Sequence, residues 1–317
     1  MTTESESVAF GFSLQEPVLG IASRISVLGT TIPTNLSMKY FDAHTHTNFV
    51  SYDEDRHAVM KRSLDAEVGM NVVGTQIDTS RSAVTLAEKY DNVWATIGLH
   101  PTHTSKSFHD TKELGEGGKE FTSRGEFFDM KVYEELGKNP KVIAIGECGL
   151  DYYRLSDDTK KVQQDAFVQQ IELANTLQKP LMLHIRPSAL GALAGKDAYE
   201  DALEILKTHA KVQGDVHFFA GDWNIAKQFL DLGFTLSFTG VVTFTHDYDE
   251  VVRNAPLDML LSETDAPYIT PVPYRGQRNE PVYVTKVVEA LAGIRGEDVE
   301  MARLQIIVNA SRVFGIS

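Results

Sequence analysis

Six side chains that can bind a metal ion stand at the ends of separate strand-like runs in this chain of 317 residues. They are His44, His46, Glu147, His184, His217 and Asp265. Ligands so far apart in sequence share one site only if the fold brings all those strand ends to one face. A parallel α/β barrel does this, because the carboxyl ends of its strands meet at a single mouth.

The apolar pattern supports such a barrel. From Met38 onward, short runs rich in Val, Ile, Leu and aromatic residues alternate with longer helical patterns, which is typical of repeated βα units. The predicted strands are Lys39–Ala43, Asn71–Gln76, Val93–Leu99, Val142–Gly146, Pro180–Leu183, Asp215–Phe218, Phe234–Phe238 and Leu257–Ser262. The predicted helices include Thr159–Gln178, Asp222–Leu232 with Asp222 as its N-cap, Pro281–Leu291 and a closing segment, Glu297–Phe314. These elements predict a single-domain TIM (β/α)8 barrel over residues 38–317.

Composition limits the partners and the compartment. The formal charge of −14 argues against charge-driven coating of nucleic acid, although a local basic rim could still hold phosphates. Cys148 is the only cysteine, so no intramolecular disulfide can form, and the reducing cytoplasm is the predicted location. Residues 1–37 show neither a secretory signal nor a membrane span. Their Ser, Thr and Gly content predicts a disordered extension, and the alternative is an over-called start, since Met38 directly precedes the first predicted strand.

The first two histidines form the sharpest local pattern. In an extended chain, His44 and His46 point to the same side, roughly 7 Å apart, which suits two imidazoles on one ion. The alternative is a pair of surface histidines on a loop.

Glu147 follows the predicted strand Val142–Gly146. Its two carboxylate oxygens can bridge two cations, and this is the role we predict. The alternative is a rim carboxylate that pairs with Arg154 or Arg186. Cys148 would point to the other side of an extended chain, so we predict a packing residue there rather than a ligand.

His184 and His217 end successive predicted strands, and Asp265 follows the last one. A lone histidine in such a strand is usually a core residue, but the preceding carboxylate, Glu147, favours ligands. Asp265 could bind metal and accept a proton from an attacking water. Glu263, two residues earlier, could hold Asp265 or a histidine in place.

The remaining histidines are less informative. His100 follows the third predicted strand, and we weigh contact with substrate or an extra ion evenly against a structural hydrogen bond. His246 is a weaker candidate. The others are interpreted as ordinary polar surface: His57, His103, His109 and His209.

An ordered set of motifs resembles one known family. The motifs are Asp42-x-His44-x-His46, Gly146-Glu147-x-Gly149-Leu150-Asp151-Tyr152, His184-x-Arg186, His217-x-Phe219-x-Gly221, Ser237-x-x-Gly240, Glu263-Thr264-Asp265-Ala266-Pro267-Tyr268 and Arg275-Gly276-x-x-Asn279-Glu280-Pro281. From about residue 39 to 315 the chain resembles the TatD-type metal-dependent hydrolases of the amidohydrolase superfamily. Any one motif is weak, but the ordered set is specific.

The resemblance implies a magnesium-dependent deoxyribonuclease with 3'-to-5' exonuclease action on DNA, single-stranded or at 3' ends. It implies one metal on His44, His46, Glu147 and Asp265, and a second on Glu147, His184 and His217. A water between the two ions would attack phosphorus, and Asp265 would take its proton. Magnesium, manganese and zinc all remain candidates, since imidazoles also suit the softer ions.

The substrate contacts and the reaction class stay open. Arg186 and Arg275 are candidates for gripping phosphate, weighed equally against plain salt bridges to Glu147 or Glu280. The segments 102–128 and 188–199 are long for the family and would overhang the barrel mouth. The alternatives are ester or amide hydrolysis, such as aminoacyl-tRNA deacylation, and a non-catalytic scaffold, although a scaffold would be expected to lose ligands. No membrane contact is predicted.

Overall fold

The computed structural model describes most of the chain from Met38 onward and two short strands before it. The described residues are 25–27, 30–32, 38–106, 108–109, 120–153, 157–188 and 198–316. Strands β1 (Ile25–Val27) and β2 (Thr30–Ile32) pair antiparallel. The rest of the predicted extension, and most of the segment 188–199, lie outside the described residues, so the predicted disorder of residues 1–37 stays a prediction.

Eight parallel strands form one sheet, and all eight predicted strands are confirmed with shifted ends. The strands are β3 (Tyr40–Thr45), β4 (Val68–Val73), β5 (Val93–Ile97), β8 (Val142–Asp151), β9 (Leu181–Arg186), β10 (Gly214–Val216), β11 (Thr235–Phe238) and β12 (Leu260–Ser262). A small antiparallel pair, β6 (Phe108–His109) and β7 (Phe121–Thr122), lies between β5 and β8. The order in the sheet follows the chain.

The sheet curls into a nearly closed barrel. Its first and last strands face each other, where the Ser262 hydroxyl donates to the Phe41 carbonyl at 3.3 Å. At the carboxyl end of β3, Thr45 forms an isolated parallel bridge with Ala266, which follows β12. The predicted TIM-type α/β barrel is therefore confirmed.

Helices follow the strands. They are α1 (Arg56–Asp65), α2 (Ile77–Ala87), α3 (Met130–Gly137), α4 (Asp157–Leu177), α5 (Ala198–His209), α6 (Trp223–Asp231), α7 (Asp249–Asn254), α8 (Val284–Arg295) and α9 (Val299–Phe314). Asp222 caps α6 as predicted, accepting from the Ile225 amide at 2.9 Å. The helix predicted from Pro281 instead begins with a 3-10 turn, Pro281–Tyr283. None of the described helices has both the length and the apolar content to span a bilayer.

Helix α9 covers the amino-terminal end of the barrel. Arg303 donates to the Lys39 carbonyl, just before β3, and Asn309 donates to the Leu260 carbonyl at the start of β12, at 2.7 Å. The Phe314 ring packs 6.0 Å from that of Phe41. These contacts satisfy backbone groups that would otherwise be buried without partners. The carboxyl end is left as the mouth.

Two glutamines on α4 hold the ends of neighbouring strands. Gln163 makes both hydrogen bonds to the backbone of Asp151, and Gln170 makes both to the backbone of Leu99, at 2.8 to 2.9 Å. They lie seven residues apart, about two helical turns, and so share one face. The loop ends that carry the site are thereby anchored to a helix.

Candidate metal centre

The six predicted ligands meet at the carboxyl end of the barrel. Five are buried, and His184 is half-buried. Burying several ionisable groups together is costly unless they pair or bind a cation. Such a cluster therefore indicates a site with a function rather than a contribution to stability.

Irregular strand pairing aims two of the ligands inward. The register between β8 and β9 shifts between Ile145 and Cys148, and Glu147 lies within that irregularity. A strand irregularity of this kind redirects a side chain. Close strand contact here requires glycine, since a Cβ on Gly149 would lie 2.1 Å from the His184 carbonyl oxygen. β3 shifts register in the same way between Asp42 and Thr45, around His44.

One oxygen of Glu147 faces the first group of ligands. Its Oε2 lies 3.4 Å from His44 Nε2 and 3.6 Å from His46 Nε2. Asp265 Oδ1 completes the group, 3.4 Å from His46 Nε2 and 3.8 Å from His44 Nε2. The Nε2 atoms of His44 and His46 are 3.2 Å apart, so the two rings point to the same side, as their spacing in the sequence predicts.

The other oxygen of Glu147 faces a second group. Its Oε1 lies 2.9 Å from His184 Nδ1 and 3.0 Å from His217 Nε2. These two nitrogens are 3.3 Å apart. The carboxylate therefore stands between two separate sets of ligand atoms, which is the arrangement that a bridging ligand needs.

The donor set fits divalent metal ions. A histidine ligand usually donates its second ring N–H to an oxygen, which turns the other nitrogen toward the metal. His46 Nδ1 lies 3.0 Å from the Val73 carbonyl, and His184 Nε2 lies 3.0 Å from Asp151 Oδ2. In both rings the remaining nitrogen faces Glu147. Asp151 thus holds the His184 ring with Nδ1 toward Glu147.

Both carboxylates of the site are held in the ionised form that binds metal. Burial alone would raise the pKa of Glu147, but His100, His217 and His44 lower it well below its usual value. Burial likewise acts to raise the pKa of Asp265, and the hydrogen bond with His46 and the nearby imidazole charges reverse the shift. Opposite charges and hydrogen bonds outweigh desolvation in both groups.

The segment that carries Asp265 is fixed by polar side chains outside the ligand set. Asp42 accepts from the Thr264 amide at 2.8 Å and from the Thr264 hydroxyl at 2.5 Å. Asn279 donates to the carbonyls of Thr264 and Tyr268 at 2.9 and 2.6 Å. Both belong to motifs noted in the sequence, so motif membership was the only signal for these roles.

A buried chain of carboxylates and a hydroxyl supports His217. Glu263 Oε1 lies 3.4 Å from His217 Nδ1 and accepts from the Phe218 amide at 2.7 Å. Ser237 connects Glu263 to Asp215, at 2.6 Å on each side. Its position two residues before Asp265 predicted a supporting role for Glu263, whereas Asp215 resembles an ordinary strand residue in the sequence and was not predicted. Burial and the charge of Glu263 raise the pKa of Asp215 to about 7.

His100 joins the cluster as a hydrogen-bonding group. Its Nε2 lies 3.3 Å from Glu147 Oε1, and its Nδ1 accepts from the Thr102 amide at 3.2 Å. Burial, with the neighbouring His184, lowers the pKa of His100 to about 4, so the ring is neutral. A neutral ring that accepts at Nδ1 carries its hydrogen on Nε2. That hydrogen faces the centre.

The other candidates lie elsewhere or on the rim. His246 is 93% exposed, and Cys148 is buried in the core. The interpretation of His103 as surface was wrong: it is buried, with its ring 6.2 Å from that of His100.

The two arginines proposed to contact phosphate make other contacts in this structure. Arg186, at the end of β9, stacks on the Tyr153 ring. Arg275 donates to the Thr270 carbonyl at 2.8 Å, while Glu280 pairs with Arg62.

Comparisons with known proteins agree with this geometry. The family model described as TatD related DNase matches residues 41–315. The uncharacterized metal-dependent hydrolase YabD of Bacillus subtilis (strain 168) is 36% identical over 87% of this chain and 99% of its own. The 3'-5' ssDNA/RNA exonuclease TatD of Klebsiella pneumoniae (strain 342) is 32% identical over 87% of this chain and 98% of its own.

The solved structures add the fold. YjjV, a TatD homologue from Escherichia coli K12, superposes with a TM-score of 0.73 at 26% identity, covering 89% of this chain and 100% of its own. A TatD family hydrolase from Entamoeba histolytica reaches 0.71 at 20% identity, with 89% and 99% coverage. The whole described barrel is therefore shared with these structures.

Proposed function

This chain belongs to the TatD-related DNase family of metal-dependent hydrolases, and from that premise we propose that it is a deoxyribonuclease that shortens DNA from the 3' end. The single observation that carries the proposal is the position of Glu147, whose two oxygens face two separate sets of ligands. A pair of ions held about one carboxylate is the arrangement used for displacement at phosphorus. The exonuclease activity of the Klebsiella relative supports the choice of substrate.

Two divalent ions would occupy the two faces of Glu147. His44, His46 and Asp265 would hold the first with Oε2, and His184 and His217 would hold the second with Oε1. When bound, such ions lower the pKa of water and neutralise charge on phosphoryl oxygens. The imidazole content suits zinc or manganese as well as magnesium.

The chain's own groups position the reactants and move the proton. Asp265 takes a proton from the attacking water as the water oxygen bonds to phosphorus and the bond to the leaving oxygen breaks. His100 directs its Nε2 hydrogen at Glu147 and at the adjoining phosphoryl oxygen. Arg186 and Arg275, at two sides of the mouth, would bind the phosphates that flank the reacting one, because guanidinium forks match phosphate oxygens.

The compartment and the boundaries complete the proposal. We assign the enzyme to the cytoplasm, since its only cysteine, Cys148, is buried and forms no disulfide. The catalytic unit would be residues 38–317.

The test is degradation of single-stranded DNA labelled at its 5' end, so that shortening from the 3' end leaves a ladder of labelled products. Purified protein is assayed with EDTA and with magnesium, manganese or zinc. Glu147→Ala and Asp265→Asn are expected to abolish hydrolysis. Cys148→Ser is the matched control beside Glu147 and should retain activity, because that side chain packs in the core.

A 3'-end ladder that is absent in Glu147→Ala would support the proposal. If metal-loaded protein cleaves no DNA but deacylates aminoacyl-tRNA, the same centre acts on a carbonyl ester, and the nuclease assignment fails.

A further inference from the structure

Two arginine–aromatic pairs lie at the barrel mouth. The guanidinium carbon of Arg186 is 3.9 Å from the centre of the Tyr153 ring. That of Arg275 is 4.2 Å from the centre of the Phe244 ring. In both pairs a cation lies over an aromatic face, which orients the ring and the guanidinium together.

The pairs stand on two sides of the metal centre. Tyr153 and Arg186 follow or end β8 and β9, whereas Phe244 and Arg275 belong to the segments after β11 and β12. Strand β10, which leads into His217, lies between the two sets of strands in the sheet. A linear substrate whose reacting group lies at the metal centre would therefore extend past one arginine–aromatic pair on each side.

Phe244 has no evident role in the core. It is 45% exposed, and it directly follows the 3-10 turn Gly240–Thr243, where its backbone amide donates to the Val241 carbonyl. The Val272 amide donates to the Thr243 hydroxyl at 2.9 Å, so the turn is tied to the segment that carries Arg275. An exposed aromatic ring on a turn that is tied to the Arg275 segment can offer a face for a nucleobase to stack on.

We propose that the two pairs are stacking platforms for the nucleobases on the two sides of the scissile phosphate. The inference rests on the proposed function and deepens it, since it specifies single-stranded nucleic acid. Bases in a single strand can place their faces on an aromatic ring while the adjacent arginine contacts the backbone. Bases in a duplex are already stacked on their neighbours and paired.

The test measures binding, separately from hydrolysis. The Glu147→Gln variant, expected to be inactive, serves as the background, and fluorescence anisotropy gives the Kd for a labelled single-stranded oligonucleotide with magnesium present. Adding Phe244→Leu removes the aromatic face and keeps an apolar side chain, so we expect Kd to rise about 5- to 20-fold. Phe244→Trp is expected to restore the affinity. Tyr153→Leu should weaken binding by a similar factor.

Two controls separate stacking from general damage. Met301→Leu changes an equally exposed residue, also 45%, on α9 at the opposite end of the barrel, and should leave Kd unchanged. An oligonucleotide with abasic sites at the terminal positions should bind the Glu147→Gln protein and the Glu147→Gln, Phe244→Leu double variant with equal affinity.

The inference is overturned if Phe244→Leu leaves Kd unchanged, or if it weakens the binding of abasic and normal oligonucleotides alike. It is also overturned if the Glu147→Gln protein binds no single-stranded oligonucleotide. The proposed function can fail independently of this result. If the oligonucleotide binds through stacking but the wild type never cleaves it, the enzyme catalyses another reaction.

Discussion

The two ends of the barrel differ in what they bury. At the carboxyl end, the side chains of His44, Glu147 and His217 lie within a few ångströms of one another and almost out of contact with solvent. At the amino-terminal end, Phe314 of α9 packs against Phe41, and Asn309 donates to the carbonyls of Leu257 and Leu260, just before and at the start of β12. The first arrangement costs free energy in the absence of a cation, whereas the second lowers the free energy of the folded chain.

This division separates function from stability within one fold. In such barrels the carboxyl end carries the chemistry, and the amino end carries contacts that hold the barrel together. Variants at the mouth should therefore change metal binding and turnover and leave the stability of the fold unchanged. Variants beneath α9 should lower the stability and leave metal binding and turnover unchanged. The following predictions test that separation.

The largest effect on activity is expected from Glu147→Gln. Glutamine keeps the size of the side chain but lacks the charge that two ions would share, so hydrolysis should fall on the order of 10³-fold. Circular dichroism should show an intact barrel. A variant that keeps near-wild-type turnover would remove the bridging assignment.

The largest effect on stability is expected from Phe314→Ala. Removing this buried ring should lower the free energy of unfolding by about 3–5 kcal/mol, because it leaves a cavity against Phe41. Chemical denaturation gives the value, and kcat/KM per folded molecule should stay near that of the wild type. A parallel loss of metal affinity would show that the two ends are coupled.

An intermediate effect is expected from Asp151→Asn. The substitution removes the charge that holds His184 Nε2, so metal affinity should fall about 10- to 100-fold. Calorimetric titration of metal-free protein measures it. Unaltered affinity would mean that His184 is oriented by packing alone.

A smaller effect is expected from Asp298→Ala at the start of α9. Asp298 accepts from the amides of Glu300 and Met301, and losing this cap should cost about 1 kcal/mol of unfolding free energy. Metal affinity should not change. Asp298→Ser is the control, since serine also caps helices.

The smallest effect is expected from a chain that begins at Met38. The predicted barrel starts there, so its melting temperature and turnover should match those of the full chain. A large drop in melting temperature would show that residues 1–37 pack on the barrel.

The sequence by itself determined the class of fold and which side chains are the candidate metal ligands. Eight apolar runs separated by helical patterns allow few arrangements other than a parallel barrel, and strand ends in a parallel barrel lie together. Hence His184 and Asp265, far apart in the chain, could be assigned to one site from their positions alone. The same reasoning found Glu147, which follows the predicted strand Val142–Gly146, although in the structure β8 continues through it to Asp151.

Only the tertiary structure decided how those ligands are shared and supported. Which oxygen of Glu147 faces which histidines depends on a local shift in strand register, and no residue pattern specifies that shift. The chain from Asp215 through Ser237 to Glu263 joins β10, β11 and the segment after β12, so the hydrogen bonds between its members cannot be read from any one stretch of sequence. His103 was misjudged for the same reason: the segment that reaches it includes Glu126, whose amide donates to the His103 carbonyl at 2.8 Å, and a linear pattern records only neighbours along the chain.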